Sequence, residues 1–113
     1  MSVSAALILC VTVTVHDGDT LRCNGEKVRI ENIDAPELPG SPRCRDERAA
    51  KAWCDFQAGY ASRDALSEFL RSGPVQLERL GTDRYGRTLG RVTVNGQDVG
   101  AYLVSIGLAR WWH

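Results

Sequence analysis

The sequence has no uninterrupted apolar stretch that could cross a bilayer. Its longest, Ala5 to Val15, is broken by Thr12 and Thr14, which excludes a transmembrane helix. Net charge is also absent, with fourteen basic residues against fourteen acidic. Bulk attraction of a polycation to nucleic acid is therefore excluded, whereas a local basic patch is not. Repeats and low-complexity segments are missing, and the only linker-like stretch is Leu38-Pro39-Gly40-Ser41-Pro42. The four cysteines (Cys10, Cys23, Cys44, Cys54) lack any C-x-x-C spacing, which argues against a zinc site built from them alone. No basic segment precedes the apolar start, so a cleaved signal peptide is not expected. The placement leans cytoplasmic, with secretion or a periplasmic location as the alternative in which disulfides would form.

What remains is the composition of one small globular domain over residues 1–113, with 43% apolar and 25% charged residues. Lysine is nearly absent: twelve of the fourteen basic residues are Arg, whose planar fork suits bidentate phosphate contacts. Four of them (Arg79, Arg84, Arg87, Arg91) fall within thirteen residues, opposed only by Asp83.

The pattern predicts strands at 7–16, 19–23 and 27–33, joined by Asp17-Gly18 and Asn24-Gly25. Asp17-Gly18 reads as a type I′ hairpin turn. Alternation in the third strand puts Arg29, Glu31 and Ile33 on one face. The period then becomes helical, with Ala49, Ala52, Trp53 and Phe56 on one face and Ala61, Ala65, Leu66, Phe69 and Leu70 on another. Gly59 either separates two helices or sits inside one. Strands return at 75–80 and 88–94, and Val99, Tyr102, Leu103 and Ile106 mark a last helix with Gly107 as its cap. Three strands, helix, two strands, helix suit a mainly β, α+β architecture: a five-stranded OB-fold barrel with two or three flanking helices, with an open α+β sandwich as the alternative.

Polar residues concentrate in four segments beside turns and strand ends. These are His16 to Thr20, Arg29 to Glu37, Asp83 to Arg87, and Trp111-Trp112-His113. Taken singly, each has a plain structural explanation, and the tryptophans suit barrel packing. Together they supply the parts of phosphodiester hydrolysis. Asp19 and Asp34 offer oxygen ligands to a hard cation. Arg29 and Arg87 could clamp a phosphodiester and stabilise charge on five-coordinate phosphorus. Glu37 could orient or activate water.

The runs Asp17-Gly18-Asp19-Thr20, Val28-Arg29-Ile30, Ile33-Asp34-Ala35-Pro36-Glu37, Asp83 to Arg91, Leu103-Val104 and Gly107 to Arg110 resemble the staphylococcal nuclease (thermonuclease) family, from about residue 8 to residue 112. The resemblance implies a Ca²⁺-dependent phosphodiesterase acting on DNA and RNA, single strands preferred, and releasing 3′-phosphorylated products; Mg²⁺ or Mn²⁺ are the alternative ions. It implies that Asp19, Asp34 and the Ala35 carbonyl hold the metal, and that Arg29 and Arg87 bind phosphate. Glu37 would activate water, Arg84 and Tyr85 would flank the nucleotide's phosphate, and an aromatic nucleotide contact near the C-terminal end would fall to His113 or to one of the tryptophans. Two departures stand out. Best-known members continue through a further helix beyond the position of His113, and the Glu37–Asp83 segment is longer here and carries Cys44 and Cys54. The rival reading is a non-catalytic OB module that binds nucleic acid or protein. Retention of Asp19, Arg29, Asp34, Glu37 and Arg87 together argues against it. A monomer is expected, with a dimer through the C-terminal tryptophans as the alternative.

Overall fold

β-Branched residues at Val11, Val13 and Val15 favour extended backbone, but the chain is extended in two pieces here, β1 (Leu7–Leu9) and β2 (Val13–Asp17). The computed structural model describes residues 6–112, Arg48 by its backbone alone. Strands β3 (Thr20–Cys23), β4 (Glu26–Ile30) and β5 (Ile33–Asp34) follow, then β6 (Val75–Thr82), β7 (Thr88–Val94), β8 (Gln97–Asp98) and β9 (Arg110–Trp111). The main sheet runs β1-β6-β7-β4-β3-β2, with β8 added to β7, while β5 and β9 pair separately.

The two ends of that sheet are consecutive in the chain. One passage pairs antiparallel with β6 through β1 and with β3 through β2, so the sheet curls back on itself and five chain passages form the barrel. The sole parallel pairing among the main-sheet strands is β4 with β7. The bend between β1 and β2 is filled by the Asn24 side chain. Its Oδ1 accepts from the Val11 and Thr12 amides at 2.8 and 3.1 Å, and its Nδ2 donates to the Leu9 carbonyl at 3.0 Å. A Cys10–Cys23 disulfide staples the same bend, with Cα atoms 5.1 Å apart.

Two further expectations are corrected along the first strands. The Asp17-Gly18 turn is not type I′, because neither residue has positive φ; Asn24-Gly25 does, at 53° and 87°. Gly18 is required for space instead, since a Cβ there would strike Ser62 and stand 2.7 Å from the Ala35 Cβ. The third strand breaks at Asn32 (φ 67°). The break turns Ile33 into the core beside Ile30, away from the face of Arg29.

The helical face expected at 49–56 is also corrected. Before Phe56 only residues 49 and 50 are helical there, as the end of a 3₁₀ turn at Asp46–Ala50 that follows another at Pro42–Cys44; residues 51–55 are neither helix nor strand, and a Cys44–Cys54 disulfide closes the segment. Helix α1 begins only at Phe56 and runs to Leu70, because Asp55 caps it by accepting from the Ala58 amide at 3.1 Å. Gly59 lies inside α1. Helix α2 (Val99–Ser105) is capped by Asp98, and it ends as expected at Gly107, whose amide donates to Val104 O while Leu108 N donates to Leu103 O. Phe69 stacks on Tyr102 at 4.1 Å between ring centroids, joining the two helices.

The core is the barrel interior and its helical lid: Leu21, Val28, Ile30, Ile33, Leu66, Leu77, Val92, Val94, Val99 and Leu103 are all essentially sealed from solvent. Among the described residues no helix is long and apolar enough to cross a membrane.

Candidate functional site

Three carboxylates meet where β2, β3 and β5 run into loops. Asp19 ends the β2–β3 turn, Asp34 ends β5, and Glu37 follows the Pro36 that stops further pairing. One oxygen from each lies within 4.8 Å of the others, and all three residues are buried. Asp34 is fully enclosed. Buried carboxylates this close repel one another unless cations or donors intervene.

The donors are identifiable. The Ala35 amide and the Thr20 hydroxyl donate to Asp19 at 3.0 and 3.1 Å, and Arg29 stands 3.6 Å from it. Arg110 holds one oxygen of Asp34 through two nitrogens at 2.8 and 3.0 Å. Arg43 Nη1 bridges the other Asp34 oxygen and Glu37 Oε2, at 2.9 and 3.2 Å. Ser41 Oγ donates to Glu37 Oε1 at 2.6 Å. Burial works against the Arg43 charge, but Asp34 and Glu37 more than offset it and hold its pKa above the ordinary value. A fourth carboxyl, Asp17, is pushed up to about 7 by burial and by the adjacent Asp19.

The backbone of Glu37 is equally well fixed. Its amide donates to the Trp53 carbonyl at 2.7 Å. Its own carbonyl faces Gly59 of α1, where any Cβ would collide with it. The Cys44–Cys54 bridge thus joins the residue after Arg43 to the residue after Trp53, two anchors of Glu37.

Beside this cluster opens a cleft of about 310 Å³ lined by Arg29, Arg84, Tyr85, Arg87, Leu89 and Trp112 among others. The parallel pairing of β4 with β7 sets Arg29 opposite Leu89, which brings the Asp83–Arg87 turn alongside. Burial alone would raise the Asp83 carboxyl, but hydrogen bonds from the Arg87 amide and side chain and the Tyr85 amide hold it below the usual range. Arg84 and Arg87 stand 4.9 and 5.7 Å from the Tyr85 ring centre, and that ring is well exposed.

The residues singled out in the sequence therefore fall into two adjoining groups. Asp19, Asp34, Ala35 and Glu37 make the acidic cluster, and Arg29 connects it to the cleft that holds Arg84, Tyr85 and Arg87. His113 lies outside the described residues. The other expectations need amendment. Trp111 and Trp112 are each 49% exposed rather than packed inside the barrel, and Trp112 lines the cleft. The run of four arginines divides: Arg79 and Arg91 pair with Glu26 and Glu78 on the barrel wall, leaving Arg84 and Arg87 at the cleft. Ser41, Arg43 and Arg110 were missed as members of the site. Arg110 was within reach of sequence reasoning as a cation beside the tryptophans, but the loop that delivers Ser41 and Arg43 carries no motif.

Carboxylate oxygens are hard donors suited to Ca²⁺, Mg²⁺ or Mn²⁺. The cluster already draws a cationic side chain into its midst, so its donor set fits a divalent ion.

Comparison with known proteins agrees with this geometry. Residues 27–113 match the family described as staphylococcal nuclease homologue. The chain is 41% identical over 98 residues to the succinoglycan biosynthesis protein ExoI of Rhizobium meliloti, covering 85% of this chain and 48% of that protein. It is 34% identical over 105 residues to an uncharacterized endonuclease of Haemophilus influenzae, covering 88% of this chain and 50% of that protein. The chain spans about half the length of these curated relatives.

Proposed function

The chain belongs to the staphylococcal nuclease homologue family, and on that premise we propose that it is a metal-dependent nuclease that hydrolyses DNA and RNA to 3′-phosphorylated products. The observation that carries this reading is the convergence of Asp19, Asp34 and Glu37 beside a cleft walled by Arg29 and Arg87. The endonuclease relative supports the reaction class.

Asp19, Asp34 and the Ala35 carbonyl would hold Ca²⁺, with Mg²⁺ or Mn²⁺ as substitutes. When bound, the ion supplies positive charge beside the scissile phosphate. Arg29 and Arg87 take the non-bridging phosphate oxygens and stabilise the charge that builds there in the transition state. Arg87 exchanges part of its pairing with Asp83 for this contact. Glu37, positioned by the Ser41 hydroxyl at one oxygen, orients a water for in-line attack and receives its proton. The bond from phosphorus to the 5′-oxygen breaks, the 5′-oxygen takes a proton from solvent water and leaves as a hydroxyl, and the phosphate stays on the 3′ side. Tyr85 and Arg84 flank the nucleotide, and an exposed aromatic ring favours unstacked single strands. Two disulfides in a chain of this size support a secreted or periplasmic setting.

The test is hydrolysis of a single-stranded oligonucleotide with Ca²⁺ and with excess EGTA, followed by end-group analysis. Ca²⁺-dependent cleavage leaving 3′-phosphates is expected. Retained binding without cleavage in any divalent ion would instead make this an OB binding module.

A further inference from the structure

Arg43 takes the Asp34 oxygen that Arg110 leaves open, on one of the two carboxylates proposed to hold the metal, and reaches Glu37 at the same time. Its Nη1 stands 2.9 Å from one Asp34 oxygen and 3.2 Å from one Glu37 oxygen, inside a cluster whose ligand atoms span no more than 4.8 Å. The second arginine on Asp34 is held differently. Arg110 belongs to β9, paired in register with Asp34 across β5, and takes the opposite oxygen. Arg43 sits on a short 3₁₀ turn, is partly solvent-exposed, and has another surface at hand: its guanidinium lies 5.7 Å from the centre of the Trp112 ring, which lines the cleft.

We infer that Arg43 is a tethered counter-ion that fills the acidic cluster in the metal-free protein and is displaced from Asp34 and Glu37 when a divalent cation binds. The inference rests on the metal site of the proposed nuclease and adds its regulation. Without Arg43, three buried carboxylates would face one another with one oxygen pair unneutralised. With it, the cluster stays compact, and metal affinity is lowered by the fraction of molecules in which Arg43 has swung away. The Cys44–Cys54 bridge fixes the stem of the tether next to Arg43, keeping its effective concentration at the cluster high. The device sets a threshold: the site fills where divalent cation is abundant and stays closed by its own arginine where it is scarce.

The test is calorimetric titration of Ca²⁺ into the intact protein, Arg43→Gln and Arg43→Lys, without nucleic acid. Arg43→Gln, which removes the charge and keeps a donor, is expected to bind Ca²⁺ roughly tenfold or more tightly. Arg43→Lys is expected to stay near the parent value. Arg79→Gln removes an equal charge on the barrel wall and should leave affinity unchanged. A second readout uses the unaltered protein: the side-chain NMR signal of Arg43 should shift or lose exchange protection on Ca²⁺ addition while that of Arg110 holds. Equal or weaker binding by Arg43→Gln, or an Arg43 signal indifferent to bound Ca²⁺, overturns the inference and leaves the nuclease reading standing. If none of these proteins binds Ca²⁺, Mg²⁺ or Mn²⁺, the metal site itself is wrong, and both readings fall.

Discussion

Gly59, in the first turn of α1, lies directly against the Glu37 carbonyl, so the helix that lids the barrel also sets the position of the residue assigned to water activation. The contact is backbone to would-be Cβ, and neither side can rotate away. Gly59→Ala must push α1 or the Glu37 loop outward. We expect a loss of about 1–3 kcal/mol in stability by denaturant unfolding, the usual range for overpacking. Cleavage by the folded variant should fall as well. A neutral Gly59→Ala would mean that the Glu37 loop and α1 are not in close contact at Gly59.

The two cleft arginines make different ground-state bonds and should respond alike in catalysis. Arg29 donates to its neighbour's carbonyl at Ile30 and stands near Asp19, while Arg87 is tied to Asp83. Arg29→Ala and Arg87→Ala are each expected to lower kcat by about 10² or more, the scale for removing a group that stabilises transition-state charge. KM should change far less. An unchanged kcat with raised KM in both would assign them to uniform substrate binding instead.

The two disulfides differ in shelter. Cys10 and Cys23 are buried in the core, whereas Cys44 and Cys54 are partly exposed. Mild reductant followed by alkylation should label Cys44 and Cys54 first, as seen by peptide mass mapping. Loss of Cys10–Cys23 should then cost about 2–4 kcal/mol by the usual figure for a native bridge. Simultaneous labelling of all four cysteines would indicate global opening rather than local reduction.

Glu26 links pH to stability. Hydrogen bonds from Arg79 and Thr88 pull its carboxyl from an ordinary 4.5 to about 2. A folded pKa below the unfolded one means stability that is fully present above about pH 4.5 and lost as pH falls toward 2. The difference in Tm between the parent and Glu26→Gln should therefore be positive and flat at neutral pH and shrink through that window. Exposure and salt keep it modest. A gap that widened on acidification would contradict the pairing.

Most of the site was legible because its carboxylates stand at strand ends, beside turn residues the sequence announces. Asp19 follows Asp17-Gly18, and Asp34 and Glu37 flank Pro36. Ser41 and Arg43 escaped because their arrival depends on a loop closed by Cys44–Cys54 and on 3₁₀ turns with no periodic signature. Arg110 reaches Asp34 across seventy-six positions through the β5–β9 pairing, which local pattern does not encode. The expected long first strand divided because its break comes from outside it, from the Asn24 amide and the Cys10–Cys23 bridge, within a run of β-branched residues that contains neither Gly nor Pro. The false helical face at 49–56 arose because Ala49, Ala52, Trp53 and Phe56 happen to fall at helical spacing, while the cap at Asp55 places the start at Phe56.

The proposed function depends above all on Glu37 performing its step within a metal-loaded cluster. Single-turnover cleavage of a single-stranded oligonucleotide by Glu37→Gln, with Ca²⁺ binding to the same sample measured by calorimetry, addresses it directly. A rate lower by orders of magnitude is expected, with Ca²⁺ still bound and the fold unchanged by circular dichroism. Cleavage at the parental rate by the Ca²⁺-loaded Glu37→Gln protein would contradict it.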